Sequence, residues 1–215
     1  FKDKKHSDSF CSSVEKLVKK YNPDYINLGI EVNYYAMTSP EGFKAFASTF
    51  RKLKKRLKTI NPNLKVGLSY QLELLFGHHK YWDKTETLIT LENLAGDLDY
   101  LGISTYPNMA TEDNPKDILK SISYLDTIRS FYSFPMGISE TSVSALLYNH
   151  TERQLYINTI YKKAQKLKFN FVIWGSMIDD TDGNNWFNTS GLLTNDGFAK
   201  KEFETWEIGN RNFLR

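Results

Sequence analysis

Glu31 and Glu140 are the residues with the clearest capacity for chemistry. Each closes a short apolar run built on Gly and Ile: Leu28-Gly29-Ile30 before Glu31, and Met136-Gly137-Ile138-Ser139 before Glu140. A pair of carboxyl groups is what glycoside hydrolysis requires. One, protonated, donates to the leaving oxygen; the other attacks the anomeric carbon or activates water. Two further residues stand where runs of the same kind stop. Tyr106 follows Gly102-Ile103-Ser104-Thr105, and Trp174 ends Val172-Ile173. A Tyr hydroxyl can orient a carboxylate, and a Trp offers an apolar plate to a sugar face. Asn33, Gln71 and Asp179 lie at or just beyond run ends, and their amide and carboxylate groups suit sugar hydroxyls. One glutamate at a strand end usually serves an ion pair, so the reading rests on the two together.

Five apolar runs must position these groups: Tyr25–Ile30, Lys65–Tyr70, Leu98–Ser104, Phe134–Ser139 and Phe171–Trp174. Their starts lie 40, 33, 36 and 37 residues apart. Between them the spacing turns helical. Phe43, Phe46, Phe50, Leu53 and Leu57 recur at threes and fours after Ser39-Pro40. A second segment opens at Asn114-Pro115 with the stripe Ile118, Ile122, Leu125 and Ile128, and a third opens at Thr151. Ser12–Lys20 reads as a helix ahead of the first run. This alternation describes an α/β fold, a parallel sheet of βα units whose ligands sit at the carboxyl ends of the strands. A complete eight-unit barrel takes ~250 residues. The preferred reading is therefore the C-terminal five βα units of a (β/α)8 TIM barrel. Residues 1–215 then form one barrel catalytic domain, with roughly three units expected upstream. A smaller doubly wound sheet fits the same periodicity. In the barrel reading the first and last runs are apolar edges, which missing upstream units or a partner chain would cover.

The order of these motifs resembles clan A glycoside hydrolases, retaining (β/α)8 enzymes. Their acid/base residue ends the fourth strand and their nucleophile the seventh. Glu31 and Glu140 are 109 residues apart, three units at the spacing above. Leu101-Gly102-Ile103-Ser104-Thr105-Tyr106-Pro107 is similar to the sixth-strand motif of family 53 endo-galactanases. Gly191-Leu192-Leu193-Thr194-Asn195-Asp196-Gly197, with Lys200 and Trp206, resembles the close of many such domains. The likeness runs from about Pro23 to Trp206. It implies Glu31 as acid/base and Glu140 as nucleophile, with Tyr106 expected to bond Glu140. Trp174, ending a short run where the chain leaves the sheet at Gly175, is expected to face the same cavity. The clan places Asn immediately before its acid/base residue; here that position is Ile30, and Asn33 is the nearest substitute.

Composition narrows the partners. Fourteen Phe, thirteen Tyr and four Trp suit a carbohydrate-stacking surface as well as a core. A net charge of +3 is too small to argue for nucleic acid. The basic run Arg51–Lys58 keeps Leu53 and Leu57 on the apolar stripe, so its cations read as a solvated helix face. Cys11 alone permits neither an internal disulfide nor a cysteine metal framework. The segment Asp179–Asn184 has the oxygen density of a calcium loop without its closing Glu, and no metal or cofactor is expected. His78 and His79 read as loop residues. No run approaches the ~18 apolar residues of a membrane span. The chain opens on Phe1 without a signal peptide, and an extracellular or cell-surface location is expected. Three functions remain: a retaining glycosidase acting on a carbohydrate, a non-catalytic carbohydrate-binding protein on the same scaffold, and an α/β protein whose two glutamates serve structural ion pairs.

Overall fold

A computed structural model describes residues 1–82, 87–110, 118–180 and 185–213. Helix α1 (Lys4–Tyr21) starts where the Asp3 carboxylate accepts the amides of Lys5 and His6, and stops at the left-handed Asn22. It buries Cys11, Val14 and Val18, one face at helical spacing. Strand β1 (Tyr25–Asn27) and the short helix α2 (Val32–Thr38) follow. Helix α3 (Pro40–Ile60) carries Pro at its first position, where no amide is needed, and buries Phe43, Phe46, Phe50, Leu53 and Leu57. Next come β2 (Lys65–Gln71), α4 (Leu72–Leu75), α5 (Leu88–Ala95) and β3 (Tyr100–Thr105). A 3-10 turn (Pro107–Met109), α6 (Lys120–Phe131) and β4 (Met136–Thr141) lead to α7 (His150–Lys166). A capping box starts α7: the Asn149 side chain accepts the Glu152 amide, and Glu152 accepts the Asn149 amide. The described elements end with β5 (Val172–Trp174) and α8 (Lys201–Phe213).

The five strands are parallel and lie in chain order β1-β2-β3-β4-β5, as the periodicity predicts. Right-handed crossovers of about this length set successive strands side by side. Together they make a curled half-barrel, five units of the (β/α)8 kind. One sheet face, Val66, Leu68, Leu101, Ile103, Met136 and Ile138, is fully enclosed in the core with the helix stripes. The stripe of α6 is Ile122, Leu125 and Ile128, as expected, but the helix begins at Lys120. The proposed start at Asn114-Pro115 falls outside the described residues.

The opposite, concave face is lined differently. At the amino ends of the strands, Tyr25, Tyr100 and Phe171 pack edge to face with centroids 5.3 to 5.9 Å apart. Gly67 and Gly137 make room for them. A methyl group on Gly67 would meet the Tyr100 ring at 2.6 Å, and one on Gly137 the Phe171 ring at 2.5 Å. Towards the carboxyl ends the same face turns polar, with Ser69, Ser104 and Ser139. The two edge strands are less covered, and Ile173 of β5 is 52% exposed.

The basic run on α3 is less solvated than the sequence suggests. Lys54 and Lys58 converge on Asp99, Arg51 pairs with Asp97, and Arg56 with Glu15 of α1. These cations tie α3 to its neighbours.

Candidate active site

Glu31 does not end a strand in the strict sense. Strand β1 stops at Asn27, and the chain turns through Gly29 and Ile30 before Glu31 caps α2 in a left-handed conformation, φ 49°. For a residue with a Cβ this backbone is strained, and such strain concentrates at functional sites. Two serines of the concave face hold it there. Ser69 Oγ accepts the Glu31 amide at 3.3 Å, and Ser104 Oγ donates to Glu31 Oε1 at 2.7 Å. Burial pushes the Glu31 carboxyl above the usual carboxylate range. The Ser104 hydrogen bond opposes that shift, and the negative charge of Glu140 adds to it. The two carboxyls therefore share one electrostatic environment.

Glu140 lies within β4, where strict alternation would turn it towards the helices, because Met136 and Ile138 already point there. A bulge prevents this. Ile103 pairs with Ile138, but Ser104 pairs with Glu140, so Ser139 is an extra residue. Both Ser139 and Glu140 consequently line the concave cavity, of about 490 Å³, with Tyr25, Ile30, Tyr100 and Ile173. The Tyr106 hydroxyl donates to Glu140 Oε1. Burial, and then that hydrogen bond to Glu140, hold the Tyr106 phenol far above its usual range, so it remains a donor. Gly175, after β5, leaves the other flank open; a Cβ there would sit 3.4 Å from Glu140 Cγ.

Behind Tyr106 stands a residue that sequence reasoning missed. Glu73, in α4, is completely enclosed. Its Oε1 accepts Thr105 Oγ1 at 2.7 Å and the Tyr106 amide at 3.1 Å. Burial raises its carboxyl to about 7 against those hydrogen bonds, with the Glu31 charge adding to the rise. A signal existed: Gln71-Leu72-Glu73-Leu74-Leu75 sets a charge among leucines directly after a strand, where burial of that charge is implied.

The other sequence-predicted residues take varied places. Trp174 pairs with Thr141 in the register, one residue from Glu140, and its indole N–H donates to the Ser190 carbonyl at 3.0 Å. Asn33 is fully buried: its amide nitrogen donates to the Gln71 carbonyl and Thr87 Oγ1, and its oxygen accepts the Gln71 amide. Asn33 and Gln71 thus bolt α2 to the end of β2, and Gln71 is itself buried. Asp179 pairs with Lys200 and accepts the Gly191 amide at 2.8 Å, which ties the loop after β5 to the chain before α8. Trp186, in that loop, packs edge to face on Tyr106 at 5.4 Å. Neither histidine reads as a free loop residue. His79 is buried, and burial followed by the Lys80 charge lowers its pKa to about 4. His78 stacks on Tyr124 at 4.7 Å. Most of the calcium-like segment, residues 181–184, lies outside the described residues. Among the described residues no cluster of three His, Cys, Asp or Glu side chains is arranged to hold a metal, and no helix is long and apolar enough to cross a membrane.

The fold has counterparts among solved structures. A GH53 catalytic domain from Ignisphaera aggregans superposes with a TM-score of 0.62 at 13% identity, covering 95% of this chain and 64% of that one. GH5_18 from Streptomyces cattleya, solved with GlcNAc, gives 0.71 at 12% identity over 97% of this chain and 53% of its own. The chain has the fold of the glycoside hydrolase barrels. A β-glucosidase from Thermotoga maritima agrees, with a TM-score of 0.64 at 11% identity over 97% of this chain and 68% of that one. The likeness read from motif order, family 53 included, holds at the level of fold. The chain spans roughly half to two thirds of the length of these three structures. No family model and no curated protein sequence matches it.

Proposed function

We propose that this chain carries the catalytic centre of a retaining β-glycoside hydrolase, with Glu31 as acid/base and Glu140 as nucleophile. One observation supports it above the rest. A carboxyl biased towards its protonated form by burial shares the concave mouth with a second carboxyl gripped by a tyrosine hydroxyl, and the charge of the second raises the first. A carboxyl raised by burial beside a second carboxyl's charge is suited to the acid role.

In the first step the protonated Glu31 donates to the glycosidic oxygen while Glu140 attacks the anomeric carbon. The carbon–oxygen bond breaks, the aglycone leaves with the proton, and a glycosyl ester forms on Glu140. Glu31, now ionised, takes a proton from water, whose oxygen attacks the same carbon and frees Glu140. Tyr106 aims Glu140 throughout. Trp174 is the sugar platform of this reading, near Glu140 in the register, with its ring packed in part against the core. Asn33, Gln71 and Asp179 act from behind, holding the loops of the mouth through the contacts above. A polysaccharide or glycan substrate and a location outside the cell belong to the same reading; the similar structures' printed names, GH53, GH5_18 and β-glucosidase, agree with a carbohydrate substrate.

A second reading, carbohydrate binding without turnover, draws on Ile30. It stands before Glu31, where the clan carries Asn, and is 69% exposed to the mouth. A panel of polysaccharides and aryl glycosides separates the two. The proposal expects hydrolysis that Glu140→Gln abolishes. Saturable sugar binding with no hydrolysis by the unaltered chain supports the second reading and overturns the first.

A further inference from the structure

The mechanism above leaves one enclosed carboxyl at the mouth without a task. Glu73 Oε1 accepts two hydrogen bonds, from Thr105 Oγ1 and the Tyr106 amide, while Oε2 is buried with no partner among the described residues. An ionised carboxylate is acceptor-only and has lone pairs on both oxygens to satisfy. Leaving one oxygen bare in a dry site is severe for an anion and mild for a neutral acid, whose carbonyl takes both bonds and whose hydroxyl occupies the bare side. The titratable groups facing it are Glu31 ahead of α2, Tyr106 after β3 and Tyr156 in α7. Each becomes negative or stays neutral, so none compensates a carboxylate. His78, whose amide bonds the Glu73 carbonyl, turns its ring onto Tyr124.

What Glu73 grips is the support of the nucleophile. Thr105 and Tyr106 are the last residue of β3 and the one after it, and the Tyr106 hydroxyl holds Glu140. From the other side Thr141, next to Glu140, donates to the Thr105 carbonyl at 2.8 Å and shares a 2.7 Å hydrogen bond with the Tyr156 hydroxyl. The end of β3 is thus clamped between Glu73 and Thr141.

We infer that Glu73 is a positioning residue, held as a neutral carboxylic acid, which fixes the end of β3 so that Tyr106 can orient Glu140, and whose ionisation loosens that hold. The inference rests on the roles proposed for Tyr106 and Glu140. Its direction with pH follows from the buried state. The folded carboxyl titrates near 7 and the unfolded one near 4.5. Below 4.5 both states keep the proton and the stabilisation is complete. Between 4.5 and 7 only the folded state keeps it, so stability falls as pH rises, and above 7 the loss levels off.

The experiment compares the unaltered chain with Glu73→Gln, an isostere that keeps a carbonyl acceptor and cannot titrate. Denaturant unfolding is followed from pH 4.5 to 8. The ratio of folding constants, variant over unaltered, should rise by up to about two orders of magnitude and then flatten. In parallel, 13C NMR of labelled tyrosine, assigned with Tyr106→Phe, should show the Tyr106 ring carbon following an ionisation near neutral pH that Glu73→Gln removes. With aryl glycosides, kcat of the unaltered chain should fall with this ionisation while KM holds, and the variant should lose that fall. If Glu73→Gln does not fold, Thr105→Val serves: removing a bond that lowers the Glu73 pKa should move the inflection to higher pH. Parallel stability curves, a Tyr106 signal indifferent to Glu73, or an unmoved inflection in Thr105→Val would overturn the inference. Absence of turnover in every protein would count against the functional reading, while the unfolding and NMR results still decide this one.

Discussion

The helical layer and the strand mouth treat buried carboxyls in opposite ways. In the helical layer and the loops that join it, each is met by a cation. Glu202 of α8 is buried against Arg153 of α7, and Asp179 faces Lys200. Burial pushes Asp99 up, yet hydrogen bonds from Lys54 and Lys58 outweigh it and leave its carboxyl below the usual range. At the mouth, Glu31, Glu73 and Glu140 receive only hydroxyl and amide donors, and no salt bridge among the described residues includes them. A cation stabilises a carboxylate as a carboxylate. Its absence leaves burial free to raise the carboxyls of Glu31 and Glu73 above the usual carboxylate range, the direction that the proposed acid role needs. The two regions differ in what surrounds a carboxyl: cations that favour its charge between the helices, and burial without a cation that disfavours it at Glu31 and Glu73.

Substitutions can break this contrast or sharpen it. The largest effect should come from Glu140→Gln, which removes the proposed nucleophile. Turnover of every substrate should vanish, a loss at least as large as the ~10²–10⁴-fold of a positioned acid, while sugar binding measured by tryptophan fluorescence persists. Glu31→Ala should cost about 10²–10⁴-fold on substrates with poor leaving groups and far less in the glycosylation of nitrophenyl glycosides, which need little protonation. Equal losses on both substrate types would remove Glu31 from the acid role. In the helical layer, Arg153→Met strands a buried carboxylate and should destabilise the fold by about 3–5 kcal/mol in denaturant unfolding, with the pH profile of activity unchanged at temperatures where the protein is folded.

Smaller changes probe the tuning itself. Tyr106→Phe removes a hydrogen bond to a charged group, worth about 1.5–3 kcal/mol, and should lower kcat by roughly 10- to 100-fold with KM little altered. Ser104→Ala should have the mildest effect and the most informative sign. The Ser104 hydrogen bond lowers the Glu31 pKa, so its loss raises that pKa further. In the proposed role Glu31 acts protonated, so activity declines as pH rises through its pKa, and the alkaline limb should move to higher pH. A shift to lower pH would mean that Ser104 favours the neutral form.

Much of the scaffold was legible because its signals are periodic. Strand starts at Tyr25 and Lys65 and the α3 stripe follow directly from apolar spacing. Less legible was whatever depended on a single backbone angle or a long-range pair. The run Tyr25–Ile30 reads as strand throughout, but β1 is regular only to Asn27; hydrogen bonds to β2 persist as far as Gly29, and the left-handed angle at Glu31 that follows is not announced by its residue type. Glu140 was recognisable as a strand-end carboxylate, yet the bulge at Ser139 that aims it depends on register with β3. Asn33 is a polar residue near a catalytic candidate in sequence and a bolt between α2 and β2 in space. Glu73 sits among leucines whose pattern implies burial, but its partners Thr105 and Tyr106 are more than thirty residues away, so its place behind the mouth depends on long-range pairing.

The central claim is that Glu140 attacks the sugar while Glu31 manages the proton. Activated 2-deoxy-2-fluoro glycosides test it directly, because they slow release of the glycosyl ester more than its formation and let it accumulate. Intact mass measurement followed by peptide mapping should find one sugar per chain, attached to the peptide bearing Glu140. The same adduct should form in Glu31→Ala and be absent from Glu140→Gln. A sugar attached at another residue, or hydrolysis by the unaltered chain with inverted anomeric configuration and no adduct, would contradict the account.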